Sequence, residues 1–272
     1  MPNTAGIIII GNEILSGKVQ DANSPYLCRE LRFLGVELCR IITIPDELEV
    51  IAQYVREYSE AYTWVFTSGG IGPTHDDVTI ESAAAAFGRK LISPPRLEEL
   101  VRSFYGDDTN EAHLRMARMP EGGELIDTPP LRTPLLLVEN VFVFPGVPEL
   151  LKNRFALLKE RFQSDPIHLR QIYLSANEGQ IADVLNETLD TFPGLMLGSY
   201  PALWNKDYKV RLTLESRSES YLDAAFSHLQ ARLPQEEIVR VESWTDHRLA
   251  GGRWNPSHRV AGIGVLAREA RP

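Results

Sequence analysis

Apolar and polar positions alternate in a regular succession over the first 165 residues. Ala5-Gly6-Ile7-Ile8-Ile9-Ile10 is an unbroken, largely β-branched run, the pattern of a strand buried on both faces of a parallel sheet. Gly11-Asn12-Glu13 breaks it. Asp21 to Leu34 has helical spacing, with Tyr26, Leu27, Leu31 and Leu34 on one face and Gly35 as a terminating glycine. Val36 to Ile44 reads as a second strand, ended by Pro45-Asp46. Leu48 to Tyr58 reads as a helix with Ile51, Ala52, Val55 and Tyr58 inward. Trp64-Val65-Phe66 is the third strand, followed by a glycine-rich stretch and an Ala-rich helix from Ile80 to Phe87. This β-α-β-α-β-α order predicts an α/β fold, a doubly wound and mostly parallel sheet covered by helices.

The pattern loosens from Ser93 to Thr133. Leu97 to Tyr105 and Glu111 to Met119 have helical character, and prolines mark the loops between. Leu135 to Val138 and Val141 to Phe144 read as a hairpin at the sheet edge, and Glu149 to Phe162 as a helix opened by Pro145-Gly146-Val147-Pro148. After Asp165-Pro166 the order becomes β-α-β-β-α-β: strand 167–174, helix 175–189, strands 195–200 and 208–215, helix 221–233, strand 238–241. That is the split pattern of a small ferredoxin-like α+β domain. The expected organisation is an α/β domain over 1–165, a ferredoxin-like domain over 166–242 and a loosely ordered tail over 243–272, where Trp244 and Trp254 could dock on the body.

Composition narrows the setting. The 272 residues are 43% hydrophobic and 24% charged, ordinary for a globular chain. Net charge is −9, and no Lys/Arg cluster marks a nucleic-acid surface. An anionic ligand must therefore be drawn by local groups. The two cysteines, Cys28 and Cys39, lie in apolar contexts without metal-ligand spacing and read as buried free thiols. No apolar run near Met1 is long enough for a signal peptide or membrane span, so a cytoplasmic location is expected.

The chemistry concentrates in Thr67-Ser68-Gly69-Gly70-Ile71-Gly72-Pro73-Thr74-His75-Asp76-Asp77-Val78-Thr79. Its glycines let backbone N–H groups approach an anion, and the following helix adds free N–H groups and a positive dipole end. Adjacent carboxylates at Asp76 and Asp77 suit a divalent metal beside a phosphate, or a polar group of the ligand. The alternative is an ordinary strand–helix turn with an acidic cap. Asp46 and Glu13 also follow predicted parallel strands, where doubly wound folds place ligands.

Four motifs occur in order: Gly11-Asn12-Glu13-Ile14-Leu15-Ser16-Gly17, Ile44-Pro45-Asp46-Glu47, Thr67 to Thr79, and Phe144-Pro145-Gly146-Val147-Pro148. They resemble the molybdopterin-binding-like domain shared by molybdenum-cofactor biosynthesis proteins and the competence/damage-inducible CinA proteins. Asp21-Ala22-Asn23, Leu27-Cys28-Arg29, Leu34-Gly35-Val36, residues 72–77 and Leu197-Gly198-Ser199-Tyr200-Pro201 further resemble the N-terminal domain of eukaryotic-type FAD synthases. The resemblance covers roughly residues 5–240. It implies metal-dependent pyrophosphate hydrolysis of FAD, ADP-ribose or a similar dinucleotide, as in the CinA and FAD-synthase branches. The cofactor-biosynthesis branch instead implies pterin binding or adenylylation. The ferredoxin-like half favours the former pair, and His75 the FAD-synthase branch, since CinA proteins commonly carry lysine there. With no adenylyltransferase or amidase-like domain after residue 240, neither FAD synthesis nor nicotinamide-mononucleotide deamidation is expected.

Roles follow from that resemblance and from the chemistry of a pyrophosphate. Asp46, Asp76 and Asp77 are the expected ligands of a divalent metal (Mg, Mn or Co), with K as a further candidate cation. Asp76, Asp77, His75 and Glu13 are the candidate catalytic groups, His75 as a proton donor and Glu13 as a metal ligand or base. A helix cap is the alternative role for Asp46 and for Glu13. Gly11, Asn12, Thr67, Ser68, Gly69, Gly70, Gly72, Pro73, Thr74, Thr79, Pro145 and Gly146 are the candidate ligand-binding positions. Thr79 is also a natural first residue of a helix. Tyr200 and Trp204 either stack on a ligand ring or pack within the small domain. The expected partners are a small nucleotide or pterin and further copies of the chain, as a dimer or trimer, with neither nucleic acid nor membrane. A binding module without turnover is the alternative to an enzyme.

Overall fold

The computed structural model describes residues 3–244. The chain divides after Asp165 into two compact units. The first contains β1 (Thr4–Ile10), the one-turn helix α1 (Asn12–Leu15), α2 (Asn23–Phe33), β2 (Glu37–Ile44), α3 (Leu48–Ala61), β3 (Trp64–Ser68) and α4 (Thr79–Ala86). It continues through β4 (Leu91–Ile92), α5 (Pro95–Tyr105), α6 (Glu111–Arg115), β5 (Met119–Pro120), β6 (Glu124–Ile126), β7 (Leu135–Val138), β8 (Val141–Phe144) and α7 (Pro148–Leu158). The central sheet runs β2-β1-β3-β8-β7-β6. It is parallel from β2 to β8, and β7 runs against both neighbours.

The isoleucine run in β1 explains the layering. Ile8 and Ile10 face one core with Val65, Ile51 and Val55, while Ile7 and Ile9 face the other with Leu27, Leu31 and Phe66. Each buried aliphatic side chain contributes roughly 1.5–3 kcal/mol, so a strand apolar on both faces is stable only at the centre of such a sandwich. An aromatic cluster closes the second core: Phe66 meets Phe142, Phe155 and Phe162 at centroid distances of 5.8, 5.9 and 5.0 Å.

The second unit contains β9 (His168–Leu174), α8 (Glu178–Thr191), β10 (Met196–Pro201), β11 (Val210–Ser216), α9 (Glu219–Arg232) and β12 (Ile238–Trp244). Its antiparallel sheet has the order β10-β11-β9-β12, the ferredoxin-like arrangement. Ile172, Leu174, Leu212 and Leu214 pack against Ile181, Leu222 and Leu229 of the helices.

Several expectations need correction. The 135–144 hairpin is not the sheet edge. β6, three residues between Gly123 and Asp127, pairs outside it, and β8 lies inside the sheet against β3. The expected helix over 111–119 stops at Arg115. Pro120 pushes Met119 to an extended backbone, and Met119 pairs with Ile92. Both cysteines are free, but Cys28 on α2 is only half-buried and Cys39 is exposed, the latter because β2 is an edge strand with an open outer face. β12 continues through Trp244, two residues past the expected boundary. The expected loose tail and a docking Trp254 concern residues 245–272, outside the described residues.

Candidate functional site

Because β1, β2, β3 and β8 are parallel, their carboxyl ends open on one edge of the sheet. Gly11–Glu13, Asp46, the 69–77 loop and Pro145–Gly146 all leave the sheet there. Side chains and backbone approaches tie these loops to one another. Asp46 Oδ2 accepts the Asn12 N–H at 2.7 Å, and the Gly11 N–H donates to the Ile44 carbonyl at 3.1 Å. The Glu13 carboxylate folds back over Gly11, where a Cβ would meet its oxygens at 2.6 Å.

The glycine-rich loop is held from below. Gly69 has φ 114°, and a Cβ there would collide with the Ile10 carbonyl. Thr79 is fully buried. Its Oγ1 donates to the Gly69 carbonyl at 2.8 Å and its N–H to the Gly70 carbonyl at 3.0 Å. Thr79 is therefore a clamp on the loop, and its hydroxyl is committed to backbone. Gly146 packs on the same loop, its Cβ position 3.3 Å from Gly69 Cα. The N–H groups of Gly70, Ile71 and Gly72 have no hydrogen-bond partner among the described residues.

Asn23 joins three of the segments. Its Nδ2 donates to Ser68 Oγ at 2.8 Å and to the Gly146 carbonyl at 2.7 Å, and Ser68 Oγ donates on to the Pro145 carbonyl at 3.3 Å. Asn23 Oδ1 and Thr67 Oγ1 are buried without partners. The ligand roles expected for Ser68, Pro145 and Gly146 are thus shared with a structural one. Asp21 caps the N-terminus of α2, accepting the Asn23 and Ser24 N–H groups at 2.9 and 3.0 Å.

The acidic pair divides in role. Asp77 Oδ2 accepts the Thr74 N–H at 2.9 Å and the Thr74 hydroxyl at 2.5 Å, closing a tight turn. Arg115 locks that turn from α6, donating to the Thr74 and Asp77 carbonyls at 3.3 Å each and pairing with Glu81 at 3.5 Å. Asp76 is exposed, and its carboxyl is held below the usual carboxylate range. The Thr74 hydroxyl is the first cause, then its own backbone N–H and the nearby His75. His75 is 96% exposed, with Nδ1 3.9 Å from Asp76 Oδ1. Pro73 is half-buried in the turn.

The expected three-carboxylate metal set is corrected. Among the described residues, no three His, Cys, Asp or Glu side chains group together as a metal site. Asp46 turns to the Asn12 N–H and Asp77 Oδ2 to Thr74, which leaves Asp76 as the exposed carboxylate of the three and Asp77 with Oδ1 outside the turn. Trp204 does not pack within the small unit: it is 96% exposed at the tip of the β10–β11 hairpin. Two residues that shape the candidate site were absent from the expected set. Asn23 stands in the Asp21-Ala22-Asn23 motif, which could have flagged it, whereas no local signal marks Arg115.

The model of the probable molybdopterin binding domain matches residues 6–164, and that of the FAD synthase middle domain matches residues 166–242. A protein of Archaeoglobus fulgidus is 38% identical over 72% of this chain and 84% of its own length. A probable FAD synthase of Caenorhabditis briggsae is 32% identical over 89% of this chain. A CinA-like protein of Thermotoga neapolitana is 31% identical over 80% of this chain and 56% of its own length. The chain spans about half the length of the FAD synthase relative, 52%. A crystal structure of a CinA protein of unknown function from Thermoplasma acidophilum superposes with TM-score 0.54 and 28% identity, covering 59% of this chain and 99% of that one. The chain belongs to the family built on this molybdopterin-binding domain, followed here by an FAD-synthase-type middle domain. Among the described residues, no helix is long and apolar enough to cross a membrane.

Proposed function

We propose that this chain hydrolyses the pyrophosphate bond of a dinucleotide such as FAD or ADP-ribose, releasing AMP and a phosphorylated product. The observation that carries the reading is the Thr67–Thr79 loop: backbone N–H groups without partners beside an exposed, ionised Asp76. Adjacent carboxylates repel a bare phosphate, so their presence in an anion cradle suits a bound cation. Mg-type ions take one or two carboxylates and complete their shell with water and substrate phosphates. Asp76, with Oδ1 of Asp77, fits that demand without a third carboxylate. When bound, such an ion neutralises charge on the pyrophosphate oxygens and lowers the pKa of water.

The chain's own groups then have separate tasks. The Gly70–Gly72 N–H groups bind phosphate oxygens. Thr79, Asn23 and Arg115 keep the loop shape fixed. His75 Nδ1 carries a proton toward the departing phosphate. The substrate class rests on the middle-domain match and on the relatives' names. A second reading, a pterin- or nucleotide-binding module without turnover, is favoured by one observation: Asp77 already serves the Thr74 turn. The test is AMP release from FAD and from ADP-ribose with and without Mg²⁺, Mn²⁺ or Co²⁺. Metal-dependent release is expected. No AMP with any metal leaves the binding module.

A further inference from the structure

β6 and β8 both run against β7. The loop over 127–134, which joins β6 to β7, therefore leaves the sheet at the same edge as the glycine-rich loop. It emerges beside Pro145–Gly146, because Leu136 pairs with Val143 near the ends of neighbouring strands. This loop carries one cation, Arg132. Arg132 is exposed on it and pairs with no carboxylate among the described residues. Arg154, on α7, reaches the loop from the side and donates to Thr133 through both its hydroxyl and its carbonyl.

Arg154 is only 9% exposed, yet no carboxylate pairs with it among the described residues. Desolvation, with no opposing charge, holds its guanidinium below its usual range. A buried charge whose only partners are neutral oxygens is costly to maintain. Acidic neighbours partner other arginines of this region: Arg96 pairs with Asp127 and Arg115 with Glu81. A second sign of an unfinished site is Thr128 Oγ1, 2% exposed as a residue and without a partner.

We infer that Arg132, Thr133 and Arg154 form a second anion subsite, which takes the phosphate of a pyrophosphate ligand farther from the glycine-rich loop. The inference rests on the proposed phosphate role of that loop and adds a specificity: two linked phosphates over one. A guanidinium presents a planar fork that matches two phosphate oxygens, which an ammonium cannot reproduce. Thr133, tied to Arg154 and next to Arg132 in the chain, fixes the spacing between the two.

The test is calorimetric binding of inorganic pyrophosphate and inorganic phosphate to the full chain with saturating Mg²⁺, for wild type, Arg132→Ala and Arg154→Lys. Wild type is expected to prefer pyrophosphate. Each variant should bind it roughly ten-fold or more weakly, the loss typical of one charge-assisted contact, with phosphate affinity little changed. Arg132 is exposed, so Arg132→Ala decides the question even if Arg154→Lys proves poorly folded by thermal unfolding. Pyrophosphate affinity unchanged in Arg132→Ala, or no pyrophosphate preference in wild type, overturns the subsite. Hydrolysis is scored separately. A wild type that releases no AMP, with pyrophosphate binding lost in the variants, removes the enzyme reading and keeps the subsite. Metal-dependent hydrolysis with unchanged pyrophosphate affinity does the reverse.

Discussion

The carboxyl edge of the large sheet and the β10–β11 hairpin of the small unit are both loop regions, built on opposite plans. At the edge, buried side chains bind one loop to the next: Asn23 joins three segments, Thr79 clamps Gly69 and Gly70, and Arg115 locks the Thr74 turn. The hairpin over 202–209 is held at its base, by backbone bonds such as Ala202 N–H to the Lys209 carbonyl at 2.7 Å and by the Tyr208 ring against Tyr173 at 4.8 Å. Its tip leaves Leu203 and Trp204 82% and 96% exposed. The first region is shaped by buried side chains before any ligand arrives, whereas the tip of the second leaves two large apolar side chains in solvent. Binding would then cost little ordering at the edge, where the proposed chemistry requires fixed donors.

Substitutions can break or sharpen this contrast. Gly69→Ala should have the largest structural effect, because its backbone is left-handed and the Ile10 carbonyl fills the Cβ position. A loss of about 3 kcal/mol in chemical unfolding is expected. A variant as stable as wild type would mean that the loop is not held as described. Asn23→Ala should cost about 2 kcal/mol by stranding Ser68 and the Gly146 carbonyl, and phosphate-ligand affinity should fall with it. Stability lost with affinity intact would separate the tie from the site.

Tyr58 provides an internal control, since its hydroxyl is also buried without a partner but sits in the α3 core, not at the edge. Tyr58→Phe should be neutral or stabilising by about 1 kcal/mol. Burial raises the Tyr58 phenol from 10.0 to about 12. A raised folded value favours the protonated group, so this stability is complete below about pH 10 and fades as pH rises toward 12. The Phe variant should lose less stability over that window, read by denaturant titration at pH 8 and pH 11. The smallest effect belongs to Trp204→Ala: melting temperature and AMP release both unchanged. A raised KM for that variant alone would restore a ring-stacking role for the hairpin and end the contrast.

What was legible in the sequence follows from range. Ile7 to Ile10, Trp64 to Phe66 and the helical spacing of 21–34 are local patterns, and each strand or helix formed where its pattern stood. β6 escaped because three residues between glycines and a polar turn carry no period, and its pairing with β7 alone defines it. The glycine-rich loop announced itself by composition. The division of labour between Asp76 and Asp77 did not, because it depends on which carboxylate Thr74 engages. Arg115 acts across 41 and 38 residues, a separation that no motif expresses. Arg154 is one of many helix arginines until burial without a carboxylate sets it apart.

The most direct measurement is the rate of AMP release by Asp76→Ala against wild type, with metal present and folding checked by thermal unfolding. Asp76 is exposed and contributes no packing, so the melting temperature should not move while the rate falls on the order of 100-fold or more. A folded Asp76→Ala variant that releases AMP at the wild-type rate would contradict the placement of the chemistry at this edge of the sheet.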